Sequence, residues 1–233
     1  MSTYRISYRF QMEKEREERF YLDIDRYSLE LVSPALGEVP FWARLDYHQC
    51  TNCTLKLSHH PYCPLCLNLA PIVDRFESIL SHDTVTLDVD TLERSIRQST
   101  TVQRALGSLL GLVMAVSGCP HTVYFKPMAR FHLPLATEEE TIYRAASMYL
   151  LSQYFLRQAG KPLEAGLEGL RTIYMNVHQV NVSIAERLRA ATTTDSSVNA
   201  VIMLDMYAKS TPYVIDASLE EIRYLFQGYV DSG

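Results

Sequence analysis

Two C-x-x-C pairs carry the plainest chemistry in this sequence. They read Cys50-Thr-Asn-Cys53 and Cys63-Pro-Leu-Cys66, nine residues apart within a window of seventeen. Thiolates are soft ligands, and each such turn offers two adjacent corners of a tetrahedron. Together the four sulfurs could close around one zinc ion. A sphere filled by four protein ligands makes a structural site rather than a catalytic one. The intervening segment, 51–62, is polar and carries Pro61, as a loop folded around an ion would. His48, His59 and His60 lie in or beside it, so a histidine in place of one cysteine is an open alternative. Two readings compete with zinc: reduced thiols without metal, and a redox disulfide. A thioredoxin-type role is disfavoured for Cys50 and Cys53. Thr54-Leu-Lys-Leu-Ser58 is a poor helix start, and it is a helix start that depresses a thiol pKa.

The second concentration of chemistry is Ser117-Gly-Cys-Pro-His-Thr122 followed by Lys126-Pro-Met-Ala-Arg-Phe-His-Leu-Pro134. Loops held between rigid elements are where binding residues collect. Cys119, His121, Arg130 and His132 are the candidate ligand-binding residues. Arg130 and His132 could meet an anionic ligand, since a guanidinium clamps carboxylate or phosphate through two hydrogen bonds. His121 could act as acid or base. Cys119 follows a helix C-terminus, whose negative end raises a thiol pKa and argues against a nucleophile. The plainer alternative pairs Arg130 with Glu138–Glu140 and leaves both histidines on backbone groups. A metal site built from Cys119, His121 and His132 is a further option.

Periodicity sets the elements that must position these residues. Tyr4, Ile6, Tyr8, Phe10 and Met12 alternate with polar residues, as do Phe20, Leu22 and Ile24, which predicts an antiparallel hairpin. The charged run Glu13–Arg19 between them reads as a solvated loop. Leu29 and Leu31 extend the pairing. Val39 to Tyr47 alternates again and predicts a strand leading into Cys50, and Thr84–Val89 predicts a fourth. Helical spacing marks 69–80, then 92–113 with a break near Ser99–Thr101. Gly107 and Gly111 there would let another element pack closely. Glu138–Ala159 is the clearest helix, with a Thr137/Glu140 capping box and a Gly160, Pro162 stop. Residues 167–188, 198–208 and 219–229 complete the helices, the last with Ile222, Leu225 and Phe226 inward, although the Ala-Val-Ile-Met-Leu run within 198–208 is also compatible with a strand. His178 sits among apolar neighbours and reads as a satisfied core histidine.

Strands first and helices afterwards predict an α+β fold: a small antiparallel N-terminal sheet with a metal-binding loop, packed against a C-terminal helical layer. We expect one domain over 1–233, with 1–90 mainly strands, the cysteine loop at 48–67, and 91–233 mainly helices. At 47% apolar residues a core of normal size forms without staples, so zinc would order a loop and not the whole fold. Net charge of −5 makes a nucleic-acid partner unlikely on electrostatic grounds. The longest strongly apolar run, Ala105–Val116, is too short to span a bilayer, and the N-terminus lacks an apolar signal core, so the expected location is cytoplasmic. No Walker loop, G-x-G-x-x-G, H-E-x-x-H or G-x-S-x-G occurs.

Ala43-Arg-Leu-Asp-Tyr-His-Gln-Cys50 through Leu67-Asn-Leu-Ala-Pro71, then the 117–134 segment, then Glu138-Glu-Glu-Thr-Ile-Tyr-Arg144, together resemble an uncharacterised bacterial family, a domain of unknown function. The resemblance covers most of the chain. It implies a bacterial cytoplasmic protein and transfers no activity. The expected function is a regulatory or protein-interaction module shaped by a structural zinc loop. The rival is an enzyme or small anionic-ligand binder using 117–134. A cavity under that segment would favour the rival; a flat segment and apolar surface beside the cysteines would favour the module.

Overall fold

Alternation in the first 25 residues does what it predicts. In the computed structural model, which describes residues 2–13, 15–32, 38–164, 166–192 and 195–231, Thr3–Met12 (β1) pairs antiparallel with Glu17–Asp25 (β2). Thr84–Asp90 (β3) and Ser95–Thr101 (β4) complete a four-stranded antiparallel sheet in the order β2-β1-β3-β4. One face buries Tyr4, Ile6, Tyr8 and Phe10 with Leu22, Ile24, Leu87 and Val89. The other is polar and cross-paired, Arg5 with Asp23 at 2.8 Å and Arg9 with Asp88 at 2.9 Å. The fold is α+β, as its strand-then-helix order requires.

Helices cover the apolar face. Pro64–Arg75 (α1) begins with Pro64 in the first turn. Val102–Ala115 (α2) is apolar on nearly every side and runs through the middle of the core. A short helix, Lys126–Arg130 (α3), lies in the 117–134 segment. Glu138–Gln158 (α4), Glu168–Ala191 (α5) and Ser196–Glu221 (α6) form the outer layer, and Gln227–Val230 (α7) ends it. The α4 capping box is present: Thr137 Oγ1 accepts the Glu140 N–H at 3.2 Å and Glu140 Oε2 accepts the Thr137 N–H at 2.8 Å. The α2 glycines do bring another helix close. A Cβ on Gly107 would sit 3.6 Å from the Ala200 carbonyl oxygen, and one on Gly111 3.4 Å from Leu204 Cδ2. A methyl fits there, but a larger side chain does not. A main apolar core joins the sheet, α1 and α2, and a smaller cluster joins α4, α5 and α6 through Ala145, Tyr149, Tyr174 and Ala208.

The structure corrects five expectations. Val39–Tyr47 is not a strand: 41–43 make a single 3-10 turn, and Arg44 contributes one isolated bridge to Tyr62. Its carbonyls are met instead by a buried arginine, described below. The helix expected over 92–113 starts only at Val102. Residues 95–101 are the edge strand β4, whose mostly exposed Ser-Ile-Arg-Gln-Ser-Thr-Thr sequence has no inward face to show alternation. The helix expected over 69–80 begins earlier and contains Cys66. The charged run is only partly loop, because Glu17–Arg19 already belong to β2. Near the C-terminus α6 runs on to Glu221, and while Ile222 is buried, Leu225 is 56% and Phe226 38% exposed. Leu31 extends the hairpin by a single bridge to Ile24.

Candidate functional site

The cysteine corner is built on α1 and α5. Cys63 is the N-cap of α1, and its N–H donates to the Ala43 carbonyl at 2.8 Å. Cys50 and Cys53 close a tight turn through a 3.0 Å backbone bond. That turn docks on α5: Asn52 Nδ2 donates to the Asn176 carbonyl and Oδ1 at 3.1 and 3.0 Å, and Thr51 Oγ1 donates to Gln179 Oε1 at 3.0 Å. Arg187 of α5, 1% exposed, organises the approach. Its guanidinium donates to the carbonyl oxygens of Trp42, Arg44, Leu45 and His48 at 2.7–3.3 Å. One side chain thus stands in for the missing neighbouring strand, because buried carbonyls must find donors somewhere.

The sulfurs are neighbours with unequal chemistry. The Cys66 thiol donates to Cys63, and with the Cys66 and Leu65 backbone N–H groups and the Arg187 charge this pulls the Cys63 thiol down to about 6. The same bond and burial push Cys66 well up. Burial raises Cys50 to about 11 against a Ser183 hydrogen bond, and burial also raises Cys119. So the sequence argument on Cys119 had the direction right, though burial rather than the helix end is the main cause. The donors are of the kind zinc takes, and they share one corner. Among the described residues, however, no group of three or more His, Cys, Asp or Glu is arranged to hold a metal ion. The thiols bond to one another and to Ser183 instead. His59 and His60 are exposed, and His48 faces Glu186 at 3.6 Å.

The 117–134 segment does not gather its candidates into one site. His121 Nε2 meets the Asn52 carbonyl at 2.6 Å, tying the segment to the first cysteine turn. Cys119 is buried behind it. Arg130 does not pair with Glu138–Glu140. It meets Glu93 Oε1 at 3.3 Å and lies over the Tyr4 and Phe131 rings, where it lines a cavity of about 160 Å³. His132 Nε2 meets the Tyr8 hydroxyl, which also meets Ser108 Oγ at 3.1 Å. Burial, with the nearby Arg144 charge, holds His132 neutral down to about 3.

Beneath this segment lies a second cavity, of about 240 Å³, walled by α2, α4, α5 and α6. It follows the seam between the two apolar clusters. Leu112, Met114, Phe125, Met128 and Leu204 supply apolar wall, and Gln103, Arg104 and Tyr207 sit among the exposed lining residues or partly exposed ones. Four polar groups face it differently. His132 is engaged by Tyr8. Arg144 donates through Nη2 to the Met128 and Phe131 carbonyls at 2.9 Å each. Tyr174 is 5% exposed, and burial raises its hydroxyl pKa. Asn181 is 1% exposed, and its Oδ1 has no hydrogen-bond partner among the described residues.

The chain matches a known family, described as a domain of unknown function (DUF6901), over residues 6–227. The chain belongs to that family. No curated protein matches it, and no solved structure does. Membership in DUF6901 brings no activity with it, so the cavity's own chemistry has to speak. Among the described residues no helix is long and apolar enough to cross a membrane.

Two of the cavity residues went unread in the sequence. Asn181 had a visible signal: it occupies an apolar register between Val177 and Ile184 on α5, where a polar side chain has to be explained. Arg144 had little, because a cation one turn inside a helix reads as surface. His178, by contrast, is satisfied as expected, with Nδ1 2.7 Å from Asp205 Oδ1.

Proposed function

We propose that this chain is a small-molecule-binding protein, with the 240 Å³ cavity under the 117–134 segment as its site. The observation that carries this is the cavity itself, in which apolar wall from α2 and α6 meets the polar side chains of Arg144, Tyr174 and Asn181 among its lining residues. The volume lies just below the usual range of about 300–1,000 Å³ for ligand pockets, which favours a small ligand. The segment expected to matter does line the cavity, through Thr122, Phe125, Met128 and His132. Arg130 is held by Glu93 and falls outside it. Ala208→Phe, which places a ring in the cavity, tests the reading. Small apolar alcohols should raise the melting temperature of the native chain and leave that of the variant unchanged. Equal stabilisation of both would move the site elsewhere.

A second reading keeps zinc and the interaction module. It is favoured by the convergence of both C-x-x-C pairs at the head of α1, with Phe41, Leu57 and Tyr62 exposed nearby as apolar docking surface. On this reading the ion breaks the Cys66–Cys63 and Cys50–Ser183 bonds to gather four thiolates. Elemental analysis with thiol titration decides it. One zinc per chain and four unreactive thiols support it; no metal and freely titrating thiols remove it.

A further inference from the structure

Arg144 is the cavity's partly buried cation, the other lining arginine, Arg104, being exposed. Its neighbour one turn back, Glu140, accepts the Thr137 backbone N–H through the capping box and reaches Arg144 by its charge alone. The described residues give Arg144 no ion pair. Two carbonyls hold Nη2 and so fix the guanidinium plane. The remaining N–H donors of the fork carry no hydrogen bond among the described residues. Burial works against the charge, lowering the Arg144 pKa. A partly buried cation with fixed orientation and spare donors is a receptor for an anion. Tyr174, whose hydroxyl makes no hydrogen bond among the described residues, lines the same cavity and is close enough for its charge state to be coupled to Arg144.

The anion's body is set by the walls. Leu112, Met114, Met128 and Leu204 offer it no polar partner. A free phosphate or a sugar phosphate would lose its hydration against them with one partly buried cation, Arg144, in return. A planar carboxylate matches a planar guanidinium through two parallel hydrogen bonds, and an apolar tail matches the walls.

We propose that the cavity binds a small monocarboxylate with an apolar body, its carboxylate on Arg144 and its tail along α2 and α6. This rests on the ligand-binding reading above. The test uses the full chain at pH 7 with octanoate and 1-octanol, which share a tail and differ in the head. Calorimetry should give octanoate at least a tenfold tighter Kd than octanol. Arg144→Met should weaken octanoate at least tenfold and leave octanol unchanged, and Arg144→Lys should fall between. Ala208→Phe should abolish both. Equal affinity for acid and alcohol overturns the carboxylate assignment while the cavity reading stands. Binding of neither probe overturns both. Should Arg144→Met fail to fold, the acid-against-alcohol ratio on the native chain decides alone.

Discussion

At the scale of single residues, two nitrogen-bearing side chains, Arg187 and His132, fix the segments around the site. Arg187 is buried with four carbonyl oxygens in place of its water. Hydrogen bonds to a charged group contribute about 1.5–3 kcal/mol each, and unmaking several at once leaves carbonyls stranded. Arg187→Met should therefore destabilise the chain by about 3 kcal/mol or more in urea denaturation, and it should free the Cys50–Cys53 turn to react faster with a thiol reagent. A loss below about 1 kcal/mol with unchanged thiol reactivity would contradict that role. His132 instead stays neutral. A free histidine titrates near 6.5, whereas His132 in the fold does so at about 3. Between those values the unfolded state holds a proton that the folded state lacks. The stability His132 permits is thus complete above pH 6.5 and is lost as pH falls toward 3, by at most about 1.4 kcal/mol per unit. His132→Gln should show a shallower fall in stability between pH 6.5 and 4 than the native chain. Parallel curves would mean that His132 titrates normally.

At the scale of elements, legibility followed how completely each segment obeyed one rule. The β1–β2 hairpin was plain because each strand has one buried and one charged face. The α4 start was plain because Thr137, the acidic first turn and the apolar stripe all agree. Thr137→Ala should remove the cap and cost about 1 kcal/mol, read as a lower denaturation midpoint; no change would mean that tertiary contacts alone hold the first turn. Residues 39–47 misled because alternation needs a partner strand as well as a pattern. The partner proved to be a guanidinium from 140 or so residues away in sequence, beyond the reach of any local signal. Segment 95–101 misled for the converse reason: an edge strand exposed on both sides carries no alternation to read. The cavity polar groups divide in the same way. Asn181 interrupts an apolar stripe and could have been found, whereas Arg144 only becomes unusual once the carbonyls of Met128 and Phe131 are placed beside it.

At the scale of the whole molecule, the sheet and α2 make a scaffold, and the site sits where the second helical layer fails to close against it. Gly107 and Gly111 bring α2 and α6 close, and the cavity follows the seam between the two apolar clusters beside that contact. The 117–134 segment lies across the opening, anchored at one end by His121 on the cysteine turn and at the other by His132 on Tyr8 of the sheet. The cysteine corner and the cavity are therefore joined through one short stretch of chain. Eight methionines report directly on whether the seam is a binding site. Met114, Met128 and Met203 line the cavity, whereas Met175 and Met206 are exposed. Methyl spectra of chain labelled with ε-carbon-13 methionine, recorded during an octanoate titration, test the central claim most directly. The three cavity resonances should move together and saturate while those of Met175 and Met206 stay fixed. Still cavity methyls, or shifts confined to Met175 and Met206, would contradict it.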